Sequence, residues 1–329
     1  MLKKILAIVI ILAMTLTFAA CGNDDGGTDG AVVLTAAHAV APTHPYHLGL
    51  ERFAELVYER TDGAVIIDIF HSGTLGNERD NIEGLQLGTV DIAVSSTAPL
   101  SGFVPEFLIL DLPYLFEDNA HADRVLDGSV GTELIELLAE INIVGAAFWE
   151  NGFRNLTNSR GPIESVADMA GLSLRTQENE LHLEAFRALG AVPQAMAWSE
   201  VFTALQQGVI DGQENPIPII YAQRLYEVQE YLSLTRHLYS PAMLLISGIS
   251  LQQFDEDIQR ILVDTAREVA PYQRELVRSQ EAEQLLLLEE RGMTISRPNP
   301  MEFRDAIESV YQNNKERLGA DLIDRILNY

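Results

Sequence analysis

Residues 205–215 read LQQGVIDGQEN, and residues 85–91 read LQLGTVD. Both follow one frame: Leu, Gln, any residue, Gly, two more residues, Asp. After the Asp they part, the first into IAVSS and the second into GQEN, with Pro216 behind it. In each copy the spacing predicts a helix ending at the Gly, where left-handed backbone costs little. A short strand is expected beyond it, over 209–211 in the second copy. A frame kept twice with different continuations marks one structural element used in two units, with function in the divergent tails.

Working outward, the chain around each copy has the same order. In the first unit, VVLTAAH (32–38) reads as a strand, and Leu50, Phe53, Ala54 and Val57 recur at helical spacing. AVIIDIF (64–70) is a second strand, 77–87 a helix, and VDIAVS a third strand. In the second unit, LSLRT (172–176) is a strand, 180–189 a helix and AVPQAM an extended piece. A helix over 200–207 follows, with Ser199 as its N-cap. Two β-α-β-α-β units imply mostly parallel strands covered by helices. Residues 143–154 run from a strand into a crossing between the units, and 240–250 read as a strand returning to the first. Helical character over 255–291 predicts a helix of about 55 Å, long enough to span both units, with Pro271 as a candidate kink. Several chain crossings between two lobes describe a hinge. The expected organisation is lobe I from 31–152 and 241–279, and lobe II from 153–240 and 280–329.

Composition narrows the function. The 329 residues carry a net charge of −26, which argues against nucleic acid as a partner. Of 22 basic residues only Lys3, Lys4 and Lys315 are Lys, so an interior Arg in this acidic chain stands out as a grip for planar anions. Lys3 and Lys4 precede an apolar run over 5–20 of signal-peptide type. Ala19 and Ala20 then meet Cys21, the single cysteine, and this junction resembles a bacterial lipobox, although Phe18 stands where Leu is usual. The expectation is a signal peptide over 1–20, a lipid on Cys21, and a flexible linker over 21–30 holding the protein to the outer face of a membrane. An ordinary secretory signal with an incidental cysteine is the alternative.

The motifs GLSLRTQEN, MAWSEVFTALQQGVIDGQENP, RLYEVQEYLSLTRH, GTLGNERDNIEGLQLGTVDIA and LDLPYLFED resemble substrate-binding proteins of tripartite ATP-independent periplasmic (TRAP) transporters, over about 32–325. The resemblance implies an α/β, two-lobed periplasmic-binding-protein-like fold with hinge strands and a long C-terminal helix across both lobes. It implies a monomer that closes on a small organic acid and delivers it to TRAP membrane permease subunits. Strand alternation alone turns Leu172 and Leu174 to one face and Arg175 to the other, leaving open a surface arginine or a ligand group. The resemblance places Arg175 on the ligand carboxylate, with Asn215 against the same group. It also puts Arg154 forward as a second anion-facing arginine and Trp198 as an aromatic beside the ligand, a core tryptophan being the alternative. His38, Ser96, Glu78 and Glu178 fall where relatives line the cleft, and a purely structural role is open for each.

The competing class is a surface enzyme. No G-x-S-x-G elbow occurs, and His44 and His47 in HPYH lack an H-E-x-x-H frame. Binding without chemistry, with no cofactor and no metal, is therefore expected. Acceptor-rich candidates (Glu78, Ser96, His38, Glu178) with the flat face of Trp198 favour a hexuronate such as glucuronate or galacturonate, or an aldonate. Sialic acid ranks second and C4-dicarboxylates third. A sensor signalling to a membrane receptor would use the same closed surface.

Overall fold

A computed structural model describes residues 30–329. The expected signal peptide, the lipid site Cys21 and the linker up to residue 29 lie outside the described residues. The first unit holds β1 (Val32–Ala37), α1 (Pro45–Arg60), β2 (Val65–Phe70), α2 (Glu78–Leu87) and β3 (Ile92–Ser96). Next come α3 (Asn119–Leu126), α4 (Ser129–Leu137) and β4 (Ile143–Asn158). The second unit holds β5 (Ser173–Thr176), α5 (Glu180–Ala188), β6 (Val192–Ala195), α6 (Trp198–Gln206) and β7 (Gly212–Pro216). After α7 (Ile217–Ala222), β8 (Tyr231–Ser247), α8 (Gly248–Leu251) and α9 (Glu256–Glu290), the chain ends in β9 (Thr294–Ser296), α10 (Pro300–Ala306), α11 (Glu308–Leu318) and α12 (Ala320–Leu327).

The nine strands form one mixed sheet of order β2-β1-β3-β8-β4-β7-β5-β6, with β9 on β8. In the first unit β1 lies between β2 and β3 and is parallel to both; in the second, β5 lies in the same way between β6 and β7. The repeated frame does one job in each. Gly88 and Gly208 end their helices at φ +71° and +68°. Asp91 Oδ2 then accepts from the backbone N of Thr35 at 2.8 Å, and Asp211 Oδ2 from that of Ser173 at 2.8 Å. Each carboxylate ties its turn to the central strand of its own unit.

Two expectations are corrected at the second copy. Residues 209–211 are a turn, and the strand is the polar run Gly212–Pro216 itself, buried throughout. The sequence pattern misleads because apolar residues ordinarily mark a buried strand. Here the polar side chains are satisfied by neighbours: Gln213 Nε2 donates to Thr157 Oγ1 at 2.9 Å, and Thr157 Oγ1 donates to Gln229 at 2.9 Å. In α6, Ser199 is not the N-cap. The helix begins at Trp198 with Ala197 at the cap position, which has no side chain able to cap it.

β4 and β8 pair antiparallel from Ile143↔Ser247 to Asn158↔Tyr231 and are the strands shared by both units. At about 3.3 Å per residue each spans roughly 50 Å. Their register shifts between Glu150 and Gly152, where Gly152 sits at φ +118° and a side chain would press on Pro216 and Val277. The bulge re-aims β4 as it leaves the β8 segment beside β3 and reaches β7. α9 is continuous through Pro271, starts on the Asp255 cap, and packs on α1, β4 and α7. The C-terminus departs from the expected lobe division. His121 of α3 bonds the carbonyl of Ile326 at 2.8 Å, and Arg325 pairs with Glu133 of α4. Residues beyond 319 thus return to elements expected in lobe I.

Candidate functional site

A small cavity of about 20 Å³ lies where α2, β5, β7 and the start of α6 meet. Arg175, Asn215, Trp198 and Glu78 line it, as do Tyr46, Asn151 and Gln177. Strand alternation explains the Arg175 face: Leu172 and Leu174 are in the apolar core, while Arg175 is buried toward the cavity. Its Nε and Nη2 donate to the Met196 carbonyl at 3.0 and 2.8 Å, which aims the guanidinium. Its Cζ stands 5.3 Å from the Trp198 ring centre. Burial pulls the Arg175 pKa down to about 10, opposed by the Glu214 charge, so it stays cationic at neutral pH.

Arg154 is fully buried, and most of its guanidinium is engaged within the protein. Nε donates to Glu214 Oε2 at 2.5 Å, and Nη2 to Glu214 Oε1 and the Glu214 carbonyl at 2.9 and 2.7 Å. Nη1 alone is buried without a partner. His237 Nε2 lies 3.1 Å from Glu214 Oε2, and Thr235 Oγ1 holds His237 Nδ1 at 2.8 Å. Burial alone would raise the Glu214 pKa. The Arg154 charge and the hydrogen bonds from His237 and Arg154 outweigh it and hold the carboxyl well below its usual range. Arg154 is thus a compensated charge under β7, and Arg175 is the cation at the cavity wall. Asn215 Nδ2 donates to Gln213 Oε1 at 2.5 Å, which fixes its amide beside the cavity.

Glu78 begins α2. Its Oε1 accepts from Ser96 N at 2.7 Å and its Oε2 from Ser96 Oγ at 3.1 Å. Burial raises its pKa against these bonds and the Arg175 and Arg154 charges. Ser96 positions Glu78 without lining the cavity. His38 does not line it either: the flanking Ala39 and Val40 do, while His38 is buried with Nε2 3.0 Å from His47 Nδ1. Burial, then His47 and His71, lowers the His38 pKa to about 3. Glu178 is exposed and outside the lining. The period of two that selects Arg175 selects Gln177, not Glu178, so Gln177 was legible in the sequence. Tyr46 and Asn151 carried no comparable signal. Among the described residues no group of three metal-ligating side chains is placed to hold an ion, and no helix is long and apolar enough to cross a membrane.

Residues 36–317 match the bacterial extracellular solute-binding proteins, family 7. The chain is 36% identical over 262 residues to the 2,3-diketo-L-gulonate-binding periplasmic protein YiaO of Escherichia coli, covering 80% of each chain. It is similar to a TRAP periplasmic solute-binding protein from a Polaromonas species bound to D-erythronate (TM-score 0.88, 38% identity, 90% of this chain and 98% of that one). It is also similar to the sugar acid binding protein of Advenella mimigardefordensis in complex with galactonate (TM-score 0.88, 33% identity, 91% and 97%). With its two repeated units, shared strands and arginine-walled cavity, the chain belongs to the family 7 extracellular solute-binding proteins of TRAP transporters, and is a substrate-binding transport protein rather than an enzyme.

Proposed function

We propose that this protein captures a hexuronate or aldonate between two lobes that close on it, and delivers the acid to TRAP permease subunits. The observation that carries the ligand class is the division of charge: Arg154 is balanced by Glu214, Arg175 stands at the wall, and Glu78 lines the same cavity. One cation suits one carboxylate. An acidic side chain in the same cavity suits hydroxyls, which donate to it, and opposes a second carboxylate. The D-erythronate and galactonate held by two related proteins, and the diketo-gulonate in the name of a third, are sugar acids of this kind. A thermal-shift panel of uronates, aldonates, sialic acid, succinate, malate and keto acids, followed by calorimetry, tests the class. Stabilisation by succinate or malate with no response to any sugar acid overturns it.

The binding role further rests on Arg175 gripping the carboxylate, Asn215 assisting, and Trp198 facing the C–H side of the sugar. We place hinge closure at the β4 and β8 crossings, which join the units. Retention at the membrane is assigned to lipid on Cys21, as the junction at Ala19 and Ala20 suggests. Mass spectrometry of the N-terminus, with Cys21→Ser releasing soluble protein of unchanged ligand affinity, tests it. Wild-type protein carrying no lipid would remove the anchor from this proposal.

A further inference from the structure

Gln177 lies two residues beyond Arg175, is 6% exposed, and lines the same cavity. Its Nε2 donates to Ser96 Oγ at 2.7 Å and to Glu78 Oε2 at 3.3 Å, both in the first unit. These partners fix the amide. Turned the other way, Oε1 would face the Glu78 carboxylate, acceptor against acceptor. With the amide so fixed, Oε1 is buried and has no donor within the protein. Asn151, across the bulge in β4, shows the same condition: it lines the cavity and its Oδ1 is buried without a donor. A buried acceptor left unmet is costly, so it rewards a ligand that supplies the missing proton.

We propose that Gln177 is a specificity residue whose Oε1 accepts a hydrogen bond from one ligand hydroxyl, so that the site demands a hydroxyl at that position. This rests on the sugar-acid reading above and sharpens it. A keto or carboxylate oxygen would set lone pairs against lone pairs, and a methylene would leave Oε1 unmet. Sites built to hydrogen-bond a hydroxyl reject analogues lacking it far more strongly than apolar pockets do. The same side chain reaches Ser96 and Glu78 with its other end, so recognition of the hydroxyl and contact between the units meet in one amide.

Calorimetry with the tightest-binding uronate or aldonate and each of its single-deoxy analogues tests this. In the wild type, one deoxy analogue is expected to bind at least about tenfold more weakly than the parent. Gln177→Met should bring the parent down to that level and leave that analogue's affinity within about threefold, collapsing the ratio. Gln177→Asn, which shortens the reach but keeps the amide, should collapse it too and serves if the methionine variant does not fold. If the variants weaken the parent and every deoxy analogue by one common factor, Gln177 is structural and the proposal fails. If the wild type binds no sugar acid while binding succinate or malate, the sugar-acid reading has failed and takes this inference with it.

Discussion

Asn77 and Ser199 clasp each other across the two units: Asn77 Nδ2 donates to Ser199 Oγ at 3.2 Å, and Ser199 N donates to Asn77 Oδ1 at 3.1 Å. Asn77 is the cap residue of α2, yet this amide serves the first turn of α6, whose own cap residue is Ala197. One helix is thus capped by a side chain from the other unit. On the closure proposed above, the cap exists only while the units are together and favours the closed state for any ligand. A cap interaction contributes about 1 kcal/mol. Asn77→Ala should therefore weaken every ligand by roughly threefold to tenfold without altering their order. A change in ligand ranking in calorimetry would show Asn77 acting on the ligand itself.

The carboxylate grip is tested at Arg175. Lys keeps the charge but cannot hold the Met196 carbonyl through two nitrogens while also facing the ligand. Arg175→Lys should lower affinity at least tenfold, about 1.4 kcal/mol. Asn215→Ala removes a neutral partner and should cost less. Calorimetry that reverses this order would make Asn215 the principal anchor.

Much of this was legible in the sequence, for identifiable reasons. The doubled LQ-x-G-x-x-D frame reports backbone needs, a left-handed Gly and an Asp that ties a turn to its neighbour, and those needs are local. Alternation within one strand turned Arg175 away from the apolar face, and the family resemblance supplied its expected role. The strand Gly212–Pro216 was not legible, because its polar side chains are satisfied by Thr157, Arg154 and His237, residues distant in sequence. The charge balance of Arg154 was hidden for the same reason. His38 follows a strand, which alone points it toward the cleft, but His47, one turn into α1, draws it aside.

The buried pair Arg154–Glu214 makes a stability prediction. Glu214→Ala leaves Arg154 uncompensated in the interior, and breaking such a pair costs about 3–5 kcal/mol. Chemical denaturation should show the loss in the ligand-free protein. Unchanged stability would mean that water reaches Arg154 at this depth.

Acid stability follows from the histidines. Burial, with neighbouring histidines adding to it, lowers both His38 and His44 to about 3. The unfolded chain binds these protons near pH 6.5, the folded one only far below. Their contribution is therefore complete above about pH 6.5 and is lost as pH falls toward 3, with a limiting slope of about 1.4 kcal/mol per pH unit for each histidine. His38→Gln should flatten the decline in denaturation midpoint between about pH 6 and 4 by roughly one histidine's share. A wild-type midpoint flat through that range would mean that His38 and His44 take up protons in the folded state.

Glu78 provides the sharpest test of ligand charge. It is held by Ser96 through both oxygens, so it cannot swing away from an incoming anion without breaking those bonds. A second ligand carboxylate about 4 Å away would meet a repulsion of several kcal/mol at the effective dielectric of such sites, reduced by whatever fraction of Glu78 is protonated. Burial raises that fraction as pH falls. Glu78→Gln keeps the shape, removes the charge and leaves one amide oxygen to accept from hydroxyls. Sugar acids should then bind about tenfold more weakly, since a charged acceptor has become a neutral one. Succinate and malate should bind more tightly, so the ratio of the two classes moves from both sides. Lowering pH should move the wild-type ratio in the same direction, and by more than it moves the ratio of the Glu78→Gln variant, which changes only as the ligands' own carboxyls protonate. If the variant loses both classes equally at every pH, Glu78 holds Ser96 in place and does not read ligand charge.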